Sequence, residues 1–167
     1  MNKIKPFGLL IVTLLFFSCS KPKPVTAEEV AQEVFELIKA NDLDGLLKLE
    51  VTKEEMITAI GRINAGDSVA TSFIKKGVLA NLNTSMTRSE EFIKMAFNNV
   101  REDMGKTTEG SIAIVKITPS AGQLRDPILR LNTMDIEYTC NNEIKKIQLS
   151  LMYTSNGWKL GFLIALT

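Results

Sequence analysis

The chain has 167 residues, 45% of them hydrophobic, with 20 Lys and Arg set against 19 Asp and Glu and a formal charge of +1. That near balance leaves no basic face of the kind that marks nucleic-acid binding, so no nucleic acid is expected among its partners. His is absent altogether, which removes the commonest general base and the commonest protein metal ligand; no cofactor and no metal are expected.

The chain opens on a short positive stretch, Met1 to Lys5, and then an apolar run from Phe7 to Phe17 broken only by Gly8 and Thr13. Polarity returns at Lys21-Pro22-Lys23-Pro24. This is the layout of a secretory signal, and the run is shorter than the roughly 20 apolar residues a bilayer span needs. Phe16-Phe17-Ser18-Cys19 resembles a bacterial lipobox, with Phe16 where Leu is usual and Phe17 where a smaller residue is commoner. The resemblance implies a lipidated Cys19 at the mature N-terminus and a membrane partner reached through that lipid. Residues 1–18 are then the signal peptide, 19–25 the lipidated Cys and an extended tether, and 26–167 a single α+β domain. Two Pro residues in the tether keep it extended. Ser20 after Cys19 looks like outer-membrane sorting, which implies a cell-envelope protein facing periplasm or exterior. Ordinary cleavage after Ser20 is the alternative, since Ser18 and Ser20 also fit a small-x-small site; the product would then be soluble and secreted.

Loss of the leader with Lys3 and Lys5 shifts the formal charge from +1 to about −1. With Cys19 lipidated, Cys140 is the only thiol left of the two Cys, so no internal disulfide is expected.

Thr26 and Glu29 form a capping box with Val25 and Val30 as its apolar staple. Val30, Val34, Leu37 and Ile38 make the stripe of the helix that follows, widened by Ala31 and Phe35. A short second helix is expected after Asp42. Thr52 and Glu55 repeat the box and start a third helix with Met56, Ile60 and Ile63 inside, stopping near Gly66. Residues 68–82 read as a weaker helix, because Gly77 costs about 1 kcal/mol relative to Ala. A further box at Thr87-Arg88-Ser89-Glu90 predicts a new helix carrying Phe92, Met95, Ala96, Val100 and Met104 to Gly105.

Beyond Gly110 the apolar period changes to two. Residues 112–118 are apolar on both faces and read as a central strand. Met134, Ile136, Tyr138 and Cys140 alternate with polar residues, and Asn141-Asn142 predicts a turn. Ile147, Leu149, Leu151 and Tyr153 alternate next, followed by Asn156-Gly157, a hairpin signal, and the run Trp158 to Leu166. Two-residue loops at both turns pair Ile136 with Ile147, Met134 with Leu149, Glu137 with Lys146, and Tyr153 with Leu160. The expected fold is α+β: N-terminal helices packed on one face of a bent antiparallel sheet that ends in a C-terminal β-meander.

Two stretches, Ala27 to Leu43 and Ser155 to Leu160, resemble the nuclear-transport-factor-2-like (cystatin-like) superfamily, in its first helix and terminal hairpin. Residues 52–105 hold more helix than that family places there. The resemblance implies a cone-shaped α+β domain and little about activity. Enzymes of that family place an acid and a Tyr on the concave face. Here the inward parity collects Tyr138, Tyr153 and Trp158, the candidate pocket lining, while Asp135 and Glu137 should face out. No catalytic residue is expected, nor a metal site, because the carboxylates show no calcium-loop spacing. Gly105-Lys106-Thr107 is no phosphate loop, since Val100 stands where the motif needs its first Gly. Cys140 reads as a buried, inert thiol, and residues 119–127 as a solvated connector.

The expected role is a lipid-anchored, non-catalytic envelope module that binds a small apolar ligand or an envelope protein partner. The alternative is an accessory, scaffold or immunity factor acting through its outer surface; an enzyme is least favoured. An open apolar pocket above about 300 Å³ favours the first role.

Overall fold

The structure, a computed structural model, describes residues 26–62, 69–105, 112–120 and 131–166. The leader, Cys19 and the tether lie outside them, as do Ile63, Gly66 and residues 121–130. In chain order the elements are α1 (Ala27–Lys39), α2 (Leu43–Lys48), α3 (Lys53–Gly61), α4 (Val69–Ala80), α5 (Leu82–Gly105), β1 (Ala113–Pro119), β2 (Leu131–Cys140), β3 (Glu143–Thr154) and β4 (Gly157–Leu166). The fold is α+β, with an antiparallel meander in the order β1-β2-β3-β4.

Local chemistry sets the helix ends. Thr26 Oγ1 accepts from the Glu29 N–H at 3.1 Å while Glu29 Oε2 accepts from the Thr26 N–H at 3.0 Å, the reciprocal box that satisfies two orphan donors. Asn41 ends the first turn in left-handed conformation at φ 59, which its short polar side chain tolerates. Asp42 then caps α2 by accepting from the Gly45 N–H at 2.7 Å. The box expected at Thr87 does not start a helix. Residues 82–105 are one continuous helix, and the Thr87 hydroxyl donates back to the Asn83 carbonyl at 3.1 Å. The break falls earlier, at Asn81, whose amide donates to the Gly77 carbonyl at 3.0 Å and closes α4. Leu82 is buried at the new start, so packing rather than capping decides the boundary.

The main core lies on one sheet face, where Met134, Ile136 and Tyr138 of β2 adjoin Ile147, Leu149 and Leu151 of β3. The stripes of α1 and of the second half of α5 cover it, with Val34, Phe35, Ile38, Phe97 and Val100 buried. Each large side chain so buried contributes about 1.5–3 kcal/mol. The β2–β3 pairing is the expected one, Ile136 opposite Ile147 and Met134 opposite Leu149. Asn141 and Asn142 both take positive φ, 55 and 64, the signature of a two-residue type I′ turn.

The last hairpin differs. Thr154 pairs with Gly157 and Tyr153 with Trp158, so Leu160 faces Leu151 and not Tyr153. Asn156 does not take the positive φ that a two-residue type I′ loop at Asn156-Gly157 requires; only Gly157 does, at φ 96. The loop is therefore Ser155-Asn156, one position earlier than expected, with the left-handed glycine immediately after it. A second irregularity leaves Gly161 without an opposite residue, between the pairs Leu151–Leu160 and Ser150–Phe162. β1 is an edge strand rather than a central one. Its bulge leaves Val115 unpaired and 51% exposed, which accounts for the apolar residues on both of its faces. At the other edge, the Val51 N–H donates to the Leu160 carbonyl at 2.9 Å and the Leu160 N–H to the Leu49 carbonyl at 2.8 Å.

Candidate functional site

The expected hollow over Tyr138, Tyr153 and Trp158 is not where open space lies. Tyr138 is 2% exposed and packs against Phe35 with ring centroids 5.4 Å apart, filling the core. Burial pushes its phenol up to about 12, with Cys140 and Asp103 adding to the effect, so it stays protonated at neutral pH. Tyr153 is 37% exposed and stacks edge-on with Trp158 at 5.3 Å, on the terminal hairpin. The register puts these two rings opposite each other, so they pack on one another, and neither is among the described residues of the cavity below. Cys140 is buried and its thiol donates to the Asp103 carbonyl at 3.6 Å.

The cavity lies on the opposite face of the sheet and measures about 520 Å³. Met56 of α3, Val78 of α4, Leu82 and Met86 of α5, and Leu131 and Met152 of the sheet form its walls. Residues of β3 with the other parity build it, because Ser150 and Met152 point away from the Leu149–Leu151 face. Helix α5 reaches both faces by passing the β4 edge: Ile93, Phe97 and Met104 join the main core, whereas Met86 packs with Val51, Ala59 and Met152. At the crossing the Ser89 hydroxyl donates to the Gly161 carbonyl at 2.5 Å. A Cβ at Gly161 would stand 3.2 Å from the Ser150 carbonyl oxygen, so a close backbone approach calls for glycine there.

The polar lining is small: Ser85, Arg88 and Ser89 of α5, and Ser150 of β3. Among the described residues, no Asp or Glu lines the cavity. Glu50 sits just outside it, beside Ser89. Burial pushes its carboxyl up, the Ser89 hydrogen bond opposes this, Glu90 adds to it and Lys94 opposes it, with a net rise. One carboxylate oxygen, Oε1, is buried without a hydrogen-bond partner.

Two further polar clusters are structural in geometry. Asp135 lies on the face away from the core, as its parity predicts, yet it is buried rather than solvated. Ser120 and Gln148 donate to its Oδ1, Gln148 at 3.0 Å, and Lys146 pairs with its Oδ2. Burial alone would raise the Asp135 carboxyl, but the Lys146, Ser120 and Gln148 hydrogen bonds together hold it below its ordinary value. Glu55 closes the α3 box and also accepts from the Asn156 amide at 2.7 Å and the Thr154 hydroxyl at 3.3 Å. Burial again pushes upward, and the bonds from Thr52, Asn156 and Thr154, with the Lys159 charge, outweigh it.

Among the described residues, no group of three or more His, Cys, Asp or Glu side chains is placed to hold a metal ion. Among them, too, no helix is long and apolar enough to cross a membrane. No protein-family model, curated protein or solved structure matches the chain.

Sequence reasoning passed over the cavity residues. The usable signal was the run Ser150-Leu151-Met152, where a large apolar side chain takes the parity opposite to the stripe. An apolar residue of the wrong parity in a half-buried strand points to a second covered face.

Proposed function

We propose that this protein is a lipid-anchored, non-catalytic binding module of the cell envelope, with its ligand site in the apolar cavity between α3, α4, α5 and the second sheet face. The anchor rests on the leader ending at Cys19, with 19–25 as the tether. The likeness to nuclear-transport-factor-2-like domains belongs to the same reading, supported by the capped first helix and the terminal hairpin. The observation that carries the binding role is the cavity itself. At about 520 Å³ it falls within the range of small-molecule pockets, about 300–1,000 Å³, and its walls are almost wholly apolar. The absence of His supports a binding role over catalysis.

The test is fluorescence of the neutral dye N-phenylnaphthylamine titrated with the whole chain. Enhancement is expected, and Ser85→Trp should suppress it by filling the mouth. Ser85 is exposed on α5, so the bulky indole should not disturb folding, which circular dichroism checks. Equal enhancement by the parent and the folded Trp variant would place the dye elsewhere and remove the support for this site.

A second reading, a module docking onto an envelope assembly, is favoured by Phe92 and Met95. They are 54% and 53% exposed, three residues apart on α5, and so on one helix face.

A further inference from the structure

We propose that the ligand of this cavity is a long-chain fatty acid, its tail among the Met and Leu walls and its carboxylate held by Arg88. The inference rests on the reading of the cavity as a ligand site and adds the chemical class. Three observations converge on it.

The first is volume. A methylene takes about the space of a water molecule, roughly 30 Å³, so a cavity of about 520 Å³ holds on the order of fifteen chain carbons. That suits one acyl chain. The second is the flexible lining: Met56, Met86 and Met152 are unbranched and adapt to an irregular chain better than rigid aromatics do.

The third is the placement of charge. Ser85, Arg88, Ser89 and Phe92 follow one another at helical spacing on a single face of α5, and all four line the cavity. Ser85 and Arg88 are exposed whereas Leu82 is buried, so the polar groups stand at the mouth and the apolar ones inside. Among the described residues, Arg88 is the only charged one in the lining, and no carboxylate pairs with it. The neighbouring Glu90 is matched by Lys94 at 2.6 Å. The Ser89 hydroxyl is committed to Gly161, leaving Arg88 and Ser85 as the donors for an arriving head. A guanidinium fork presents two parallel N–H groups to a planar carboxylate, so a fatty acid meets both halves of the site at once.

Displacement of N-phenylnaphthylamine from the whole chain tests this, with palmitate, octanoate, palmityl alcohol and palmitylamine as competitors. Palmitate should displace best. Octanoate should be weaker by orders of magnitude, because each buried methylene is worth about fourfold in affinity. Arg88→Ala should weaken palmitate about tenfold and leave the alcohol within about twofold. If the dye binds and Ser85→Trp blocks it, yet alcohol or amine equals palmitate and Arg88→Ala changes nothing, the fatty-acid assignment is overturned and the cavity survives as a site. If the dye does not bind at all, the reading of the cavity fails, and this inference fails with it.

Discussion

Gly157 shows what a single residue contributes to the terminal hairpin. Its φ of 96 lies where a side chain meets its own backbone, and Trp158 depends on that turn to meet Tyr153. Gly157→Val should lower stability by about 1–2 kcal/mol, read as an earlier midpoint in urea. Gly157→Ala should fall between it and the parent. An unshifted Val midpoint would mean that this turn is not formed at that residue. Glu50 is the opposite case, a side chain kept partly buried with one oxygen unbonded. Such groups weaken a fold unless something uses them, and its place beside the cavity wall gives it a neighbour to act on.

At the scale of elements, Glu55 joins α3 to the β3–β4 turn through one carboxylate that serves both. Its folded pKa is below the ordinary value of 4.5, so the stability it contributes is full above that value and is lost as pH falls through the folded one. Chemical denaturation between about pH 3 and pH 7 should show the parent weakening on the acid side. Glu55→Gln should reduce that slope and cost about 1 kcal/mol at neutral pH. The slope should shrink without vanishing, because Asp135 is shifted in the same direction. An unchanged slope would show that the carboxylate does not fasten the hairpin to α3.

The elements also show where a local pattern speaks and where it does not. The boxes at Thr26 and Thr52 were legible because they follow non-helical residues. The same pattern at Thr87 is silent, because the helix already begins five residues earlier. The β2–β3 register was legible because both turn residues are Asn, which accepts positive φ. The β3–β4 register was not, because Asn156-Gly157 fits two loop positions one residue apart and only packing selects one.

At the scale of the molecule, the fold class could be read from the change in hydrophobic period, but the cavity could not. It is assembled from α3, α4, the first half of α5 and the minor face of the sheet, and only tertiary packing brings those together. The proposed anchor belongs to this scale as well. Cys19→Ala should abolish incorporation of labelled fatty acid and move the protein from the membrane to the soluble fraction; membrane retention without label would contradict lipidation.

The two hydrogen bonds between the Leu49–Val51 segment and Leu160 have a consequence for how copies of the protein meet. They cap the outer rim of β4 at Leu160, while the bulge at Val115 and the proline at the end of β1 interrupt the opposite rim. Each flank thus carries an interruption of the kind that discourages another copy from laying a strand along it. If the proposed anchor holds such molecules at high density on a two-dimensional surface, flank-to-flank encounters meet an interrupted rim at Leu160 on one side and at Val115 on the other.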